Sequence, residues 1–366
     1  MSDNSSLAGL VADRSIVVCT GTGGVGKTTT AAALAVAGAR AGRRTVVVTI
    51  DPARRLADTL GLGSLSNTPS RIAGPWPGEL WALMLDTEST FDELIRTYAT
   101  DPAQTDRILG NRFYRNIAGA LSGTQEYMAG EKLYELHESG RFDLVVVDTP
   151  PTRRALDFLD ASRRLGRFLD HRLYRALMAP TRGYMRAVNV AAQGFVRTAG
   201  KVVGGEVIDD ALAFFSAFDG MEEGFRERSA AVQALLASDV TAYVLVASPR
   251  ADTAGEAVFF AGRLAMAGLP VGALVINRLH PRFGALDAAA AGRLADASDG
   301  DLACLFGNLA DLLTLAEGEE SHLAELLAVV GDATVVRVPL LVREVHDLGS
   351  LEEIADHLTG AGGVVV

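Results

Sequence analysis

Apolar and polar positions follow two rhythms along this chain. Short unbroken apolar runs, rich in Val and Ile, occupy residues 15–19, 45–50, 80–85, 144–147, 242–247, 271–276 and 334–338. Runs of that length without alternation suit strands buried on both faces. Ala- and Leu-rich stretches at helical spacing, such as 28–41 and 253–267, lie between them. Strands alternating with helices predict an α/β chain with a doubly wound, mostly parallel sheet. The rhythm breaks twice, from about 89 to 140 and from about 153 to 238, where no strand-like run occurs. These tracts are read as one inserted helical subdomain within a single domain spanning 1–366. Pro180, Gly183, Gly194, Gly204 and Gly205 divide the second tract into helices of modest length. Its apolar residues include Leu173, Tyr174, Leu177, Met178, Tyr184, Met185, Phe195, Phe214, Phe215 and Phe218. They suit packing between helices, or a groove for an apolar client.

Composition narrows the function classes. No apolar run reaches the roughly 18 residues that a bilayer span requires, so direct membrane insertion is not expected. Residues 1–14 carry Asp3 and Asp13 and resemble no export signal, which makes the cytoplasm the expected location. A net charge of −11 argues against a nucleic-acid partner. Cys19 and Cys304 are the only cysteines, too few for a disulfide framework or a thiolate metal cage. The histidines, at 137, 171, 280, 322, 346 and 357, are dispersed and are read as surface or packing residues. Lysine is scarce, present only at Lys27, Lys132 and Lys201.

One of those lysines sits in a motif. Directly after the first apolar run comes Gly21-Thr22-Gly23-Gly24-Val25-Gly26-Lys27-Thr28, with Thr29 next, which satisfies G-x-x-x-x-G-K-[ST]. A strand before and a helix after are the required context. Glycines at 21, 23, 24 and 26 let backbone amides turn towards phosphate oxygens, and the following helix adds its dipole. Lys27 is expected to neutralise β and γ oxygens, and Thr28 to offer its hydroxyl to a phosphate-bound Mg²⁺. ATP and Mg²⁺ are therefore the expected cofactors. The second apolar run ends at Asp51, at the sheet edge where α/β ligand sites assemble. Asp51 is read as the acid that orients an attacking water, as the cap of a helix starting near Pro52, or as both. The run at 144–147 leads into Asp148, where P-loop enzymes hold Mg²⁺ through water.

Together these elements resemble the ArsA-like ATPases, a family that includes the bacterial arsenical pump ATPase and the eukaryotic ATPase that targets tail-anchored membrane proteins. The resemblance rests on GTGGVGKTT at 21–29, TIDPARRLADTLG at 49–61, DTPPTRRALDFL at 148–159, VINRL at 275–279 and VPLLVREVHDL at 338–348. It implies a P-loop NTPase fold and a dimer closing on nucleotide. Asp51 matches the first switch, Asp148 to Thr152 the second, Asn277 the adenine-reading asparagine, and the loop with Pro339, Leu341 and Val345 the cover over the base. The arrangement is most similar to paired ArsA-like ATPases of high-GC actinobacteria.

The departures from the family pattern are equally informative. Family loops carry a signature lysine that reaches across the dimer, and Thr22 occupies that position here. Arg54, Arg55, Arg153, Arg154 and Arg250 are the candidate substitutes. Either a homodimer or a heterodimer is compatible, and a heterodimer with a lysine-bearing sister is the favoured expectation. The clustered cysteines of metalloid-binding members and the paired zinc cysteines of targeting members are missing. The expected function is a Mg-ATP-dependent ATPase, with a deviant phosphate loop, whose cycle drives dimer closing and opening to handle an apolar protein or lipid-like client. The alternative is an ATP-binding regulatory subunit of a heterodimer with little hydrolysis of its own. A partitioning or cell-division ATPase fits less well, since the final helix at about 350–358 carries Glu352, Glu353 and Asp356 and no lysine or arginine, which anionic membranes repel.

Overall fold

Each apolar run folds as a strand, and those in the middle of the sheet are buried throughout. The computed structural model describes residues 6–51, 55–118, 124–150 and 205–360. Eight strands are defined: β1 (Ile16–Gly21), β2 (Arg44–Thr49), β3 (Ser70–Ile72), β4 (Glu79–Met84), β5 (Leu144–Asp148), β6 (Thr241–Ala247), β7 (Val271–Leu279) and β8 (Thr334–Pro339). They form one sheet in the order β3-β4-β2-β5-β1-β6-β7-β8. Every pairing is parallel except that of β3 with β4, so the doubly wound, mostly parallel sheet is present. β3 was not foreseen in the hydropathy pattern. It has three residues with only Ile72 buried, too short for any period to register.

The helix Lys27–Arg40 fills the space beside the central strands. Its Ala-rich sequence lets it pack against β1, β2 and β5 and also against the helix Leu348–Thr359. Residues Ala31 to Ala39 are all buried, and the helix therefore lacks the single apolar stripe of a surface helix. Helix starts follow local chemistry. Asp86, Asp101, Asp287 and Asp347 each accept a hydrogen bond from the amide three residues on. Between β7 and β8, where the pattern singled out no element, two helices pack together, Ala288–Asp296 and Gly300–Val330. No described helix is long and apolar enough to cross a membrane.

The chain divides into two units. The first holds the sheet and comprises Met1–Met84, Leu136–Leu156 and Ala237–Val366. The second comprises Leu85–Glu135 and Asp157–Leu236. Its described elements are helical: Thr87–Tyr98, Pro102–Leu109, Arg112–Ala118, most of Thr124–Glu138, Gly205–Ala217 and Glu222–Leu236. An aromatic core joins them, with Phe218 4.9 Å from Phe225 and 5.6 Å from Phe214 between ring centroids. Phe214 and Phe218 are thus packing residues, buried with Tyr114, Ile95 and Met221. The remaining apolar positions proposed for a client groove, Leu173 to Phe195, lie outside the described residues, as does the side chain of Phe215.

Parallel register sets the level of the functional edge. Asp148 at the end of β5 stands opposite Cys19 of β1 on one side and Thr49 of β2 on the other. The carboxyl ends of three adjacent strands therefore finish side by side, each followed by a loop.

Candidate functional site

The loop after β1 owes its shape to glycine. Gly26 adopts φ 97° and begins the helix at Lys27, and a Cβ added there would lie 2.2 Å from Asn277 Nδ2. Gly21 leaves the strand at φ 149°, and a Cβ there would lie 2.1 Å from the Val246 carbonyl oxygen. Neither position tolerates a side chain. Between them the chain turns around the Lys27 side chain, whose Nζ donates to the Thr22 carbonyl at 2.6 Å.

Lys27 is only 6% exposed. Burial lowers its pKa to about 8, with Arg55 adding to the depression while Asp148 and Asp51 oppose it. Asp148 is 1% exposed, and burial pushes its carboxyl up to about 6. The Thr28 and Thr49 hydroxyls restrain that rise by donating to Asp148 Oδ2 at 2.8 and 3.0 Å. Its second oxygen, Oδ1, is buried with no hydrogen-bond partner. A buried carboxylate oxygen without a donor is costly in a protein interior. Thr149 locks the strand end in place, its hydroxyl donating to the Cys19 carbonyl at 2.8 Å. Asp51 lies two residues past the end of β2, partly buried. Its amide donates to Thr49 Oγ1 at 3.2 Å, and Arg55 Nη1 stands 3.9 Å from its carboxylate.

A cavity of about 300 Å³ opens over these groups. Gly24, Gly26, Lys27, Thr28 and Thr29 form one side, and Asp51, Arg55 and Thr149 face it. Asp58, Thr59 and Arg278 complete the lining. The arrangement can bind an anion through backbone amides and one ammonium group, with two carboxylates at hand for a cation and a water.

The other residues predicted for the site are placed as follows. Gly21, Thr22, Gly23 and Val25 shape the loop without lining the cavity. The Thr22 side chain is buried, its hydroxyl without a partner. Asn277 is 9% exposed and donates from Nδ2 to the Val25 carbonyl at 2.9 Å, so it grips the loop backbone. Pro339 ends β8, while Leu341 and Val345 pack half-buried against the core, and none of the three lines the cavity. Among the candidate replacement cations, Arg55 lines the cavity. Arg250 is drawn instead to Asp252 at 3.2 Å on an exposed helix start. Arg54, Arg153, Arg154 and Thr152 lie outside the described residues.

Arg278 was not singled out in the sequence, and neither were Asp58 and Thr59, which line the cavity with it. The β7–β8 register shifts between Asn277 and Leu279, and Arg278 in that bulge holds φ 65°, the only non-glycine residue at positive φ among those described. Bulges of this kind re-aim side chains beside active sites. Here the bulge brings Arg278 into the cavity lining, where Nη1 donates to the Gly24 carbonyl at 3.0 Å. Nothing in the local sequence marks it, because an unusual backbone angle at a non-glycine residue leaves no compositional trace.

With this geometry established, known proteins provide a comparison. The sequence model of a family described as anion-transporting ATPase matches residues 14–285, more than half of the chain. ATPase ARSA1 of Chlamydomonas reinhardtii is 26% identical over 293 residues, a match covering 73% of this chain and 35% of the algal protein. The chain thus spans about a third of that relative's length. ATPase get3 of Aspergillus terreus is 24% identical over 343 residues, covering 92% of this chain and 88% of the fungal protein. An uncharacterized Streptomyces coelicolor protein, SCO2128, is 31% identical over 280 residues, covering 76% of this chain and 66% of its own length.

Proposed function

Because the chain belongs to the anion-transporting ATPase family, typified by ArsA, we propose that it is a Mg-ATP hydrolase whose cycle closes and opens a dimer to act on an apolar client. The observation that carries this reading is the convergence of Lys27, Thr28 and Asp51 on one cavity, with Asp148 buried behind it and bonded to the Thr28 hydroxyl. Asp148 and Thr28 suit a magnesium site, since Asp148 Oδ1 is buried and lacks a donor while the Thr28 hydroxyl lies against Oδ2. Magnesium bound there would neutralise charge on the phosphates. The protein's own residues perform the remaining tasks. Loop amides and Lys27 hold the phosphate charge, and Lys27, already desolvated, interacts with it more strongly than an exposed lysine would. Asp51 positions the attacking water and accepts its proton, with Arg55 3.9 Å from the carboxylate helping to orient it. Arg278 supports the loop in cis and adds a second cation where Thr22 replaces the signature lysine.

The direct test is single-turnover hydrolysis by Asp51→Asn. A fall of about 10² to 10⁴ in rate, with nucleotide affinity retained, is expected for loss of a water-orienting acid. Unchanged turnover would remove Asp51 from the chemistry.

A second reading follows from Thr22: the chain binds ATP mainly to stabilise a heterodimer with a lysine-bearing sister, which completes this site. A cation supplied in trans typically contributes about 10³ to 10⁵ in rate. Activity of the chain alone is therefore to be compared with activity of the mixture. Equal activity per subunit would exclude the sister's contribution. Client handling is tested by hydrogen exchange. Nucleotide-dependent protection across residues 164–225 supports it, whereas protection limited to the phosphate loop and switches opposes it.

A further inference from the structure

Three grips cluster where β7 ends, and two of them reach the phosphate loop. Asn277 donates to the Val25 carbonyl and Arg278 to the Gly24 carbonyl. A trans peptide points its carbonyl and the next amide in opposite directions, so these donors also set where the amides of Val25 and Gly26 point. The third grip holds the strand end itself. Glu319, on the helix Gly300–Val330, accepts the His280 amide through Oε2 at 2.9 Å, and its Oε1 lies 2.7 Å from the His280 ring Nδ1. A carboxylate only accepts, so Nδ1 carries the ring proton.

Packing alone does not call for an acid at this place. Glu319 is 8% exposed and shares the buried face of its helix with Leu313, Ala316, Leu323 and Leu326. A carboxylate in such surroundings costs more than a leucine would unless its oxygens are used, and both oxygens here turn to His280. What the contact secures lies two residues earlier. Arg278 sits in the bulge at φ 65°, a conformation that persists at a non-glycine residue only where its surroundings impose it. Before it, the register with β8 fixes Asn277. After it, the Leu279 carbonyl accepts the Leu340 amide at 2.7 Å and Glu319 clamps His280. We propose that Glu319 is a positioning residue for the nucleotide, which anchors the bulge at His280 and, through Arg278 and Asn277, keeps the phosphate loop in its binding shape. Its role towards nucleotide rests on reading the cavity as a nucleotide site, whereas the order of the loop can be measured without nucleotide.

The test measures two quantities on the full chain: hydrogen exchange across residues 22–30 without nucleotide, and Mg-ATP affinity by calorimetry. Glu319→Ala is expected to speed that exchange at least about threefold and to weaken ATP about tenfold. Glu319→Gln should recover most of both, since its side-chain oxygen still accepts the His280 amide and its nitrogen can meet the ring in the other tautomer. His322, one turn further along the same helix, lies 3.0 Å through Nδ1 from the Pro249 carbonyl after β6 and serves as the control. His322→Ala should leave residues 22–30 unchanged. Glu319→Ala combined with Arg278→Ala should weaken ATP by much less than the product of the single effects, because one residue acts through the other. If Glu319→Ala does not fold, His280→Ala, which removes the ring contact alone, should give a smaller shift in the same direction. Unchanged exchange, faster exchange with ATP affinity intact, equal effects of Glu319→Ala and His322→Ala, or fully multiplicative effects with Arg278→Ala would overturn the proposal. Faster exchange in Glu319→Ala, with no ATP bound even by the unmodified chain, would refute the nucleotide reading while keeping Glu319 as the brace of the loop.

Discussion

Lys27 and Lys132 are buried almost alike, at 6% and 3% exposure, one in the sheet unit and one in the helical unit. Their surroundings differ. Lys132 reaches two carboxylates, Glu93 at 3.2 Å and Glu135 at 3.0 Å, and beside it in the chain Glu131 pairs with Arg228 at 2.7 Å. The Lys27 amine meets only a neutral carbonyl as its hydrogen-bond acceptor, while nearby Asp148 keeps one oxygen without a donor. In the helical unit the Lys132 charge is matched inside the protein, although Glu131 too keeps one oxygen, Oε1, without a donor. At the sheet edge charge is left incompletely matched, and that deficit is the affinity available to a ligand.

Substitutions sharpen the contrast. The largest effect is expected at the sheet edge, where Lys27→Ala should lower turnover by about 10³, read by steady-state phosphate release, with the fold intact by circular dichroism. Lys132→Met should do the reverse. It leaves nucleotide affinity unchanged and reduces unfolding free energy in urea by about 2 kcal/mol, because the charge-assisted hydrogen bonds to two carboxylates are lost. If Lys132→Met impaired turnover as strongly as Lys27→Ala, the division of labour would be wrong. Arg278→Ala is expected to raise KM for ATP about tenfold, with Arg278→Lys recovering only part, since a lysine lacks the planar fork that reaches the Gly24 carbonyl. Smallest is a pH effect in the helical unit. Burial raises the Glu131 carboxyl above its ordinary value despite its Arg228 partner. The folded protein therefore holds a proton there that the unfolded chain has released, and stability falls as pH rises from the ordinary carboxyl range through the raised value. Glu131→Gln should flatten that slope in thermal unfolding followed across mildly acidic pH, and an unaltered slope would assign it to other groups.

What could be read from the sequence follows from how local each signal is. The phosphate loop, Asp51 and Asp148 were legible because strand, loop and acid adjoin in the chain. Lys132 was half legible, for Glu135 lies one helical turn away, whereas Glu93 is brought near only by folding. The Asn277 contact to Val25 and the re-aimed Arg278 were not legible, since both depend on a bulge that joins residues about 250 positions apart. β3 was lost to brevity.

The parallel order of the strands also bears on how the protein is made. β1 lies between β5 and β6, so the turn at Gly21 is braced by Val246, and the loop it starts is held by Asn277 and Arg278. At a synthesis rate of about 5 to 20 residues per second, the ribosome delivers those braces on the order of ten seconds or more after Lys27 has emerged. A nascent chain thus displays its phosphate loop long before it can grip a nucleotide, and mature affinity is acquired among the last events of folding.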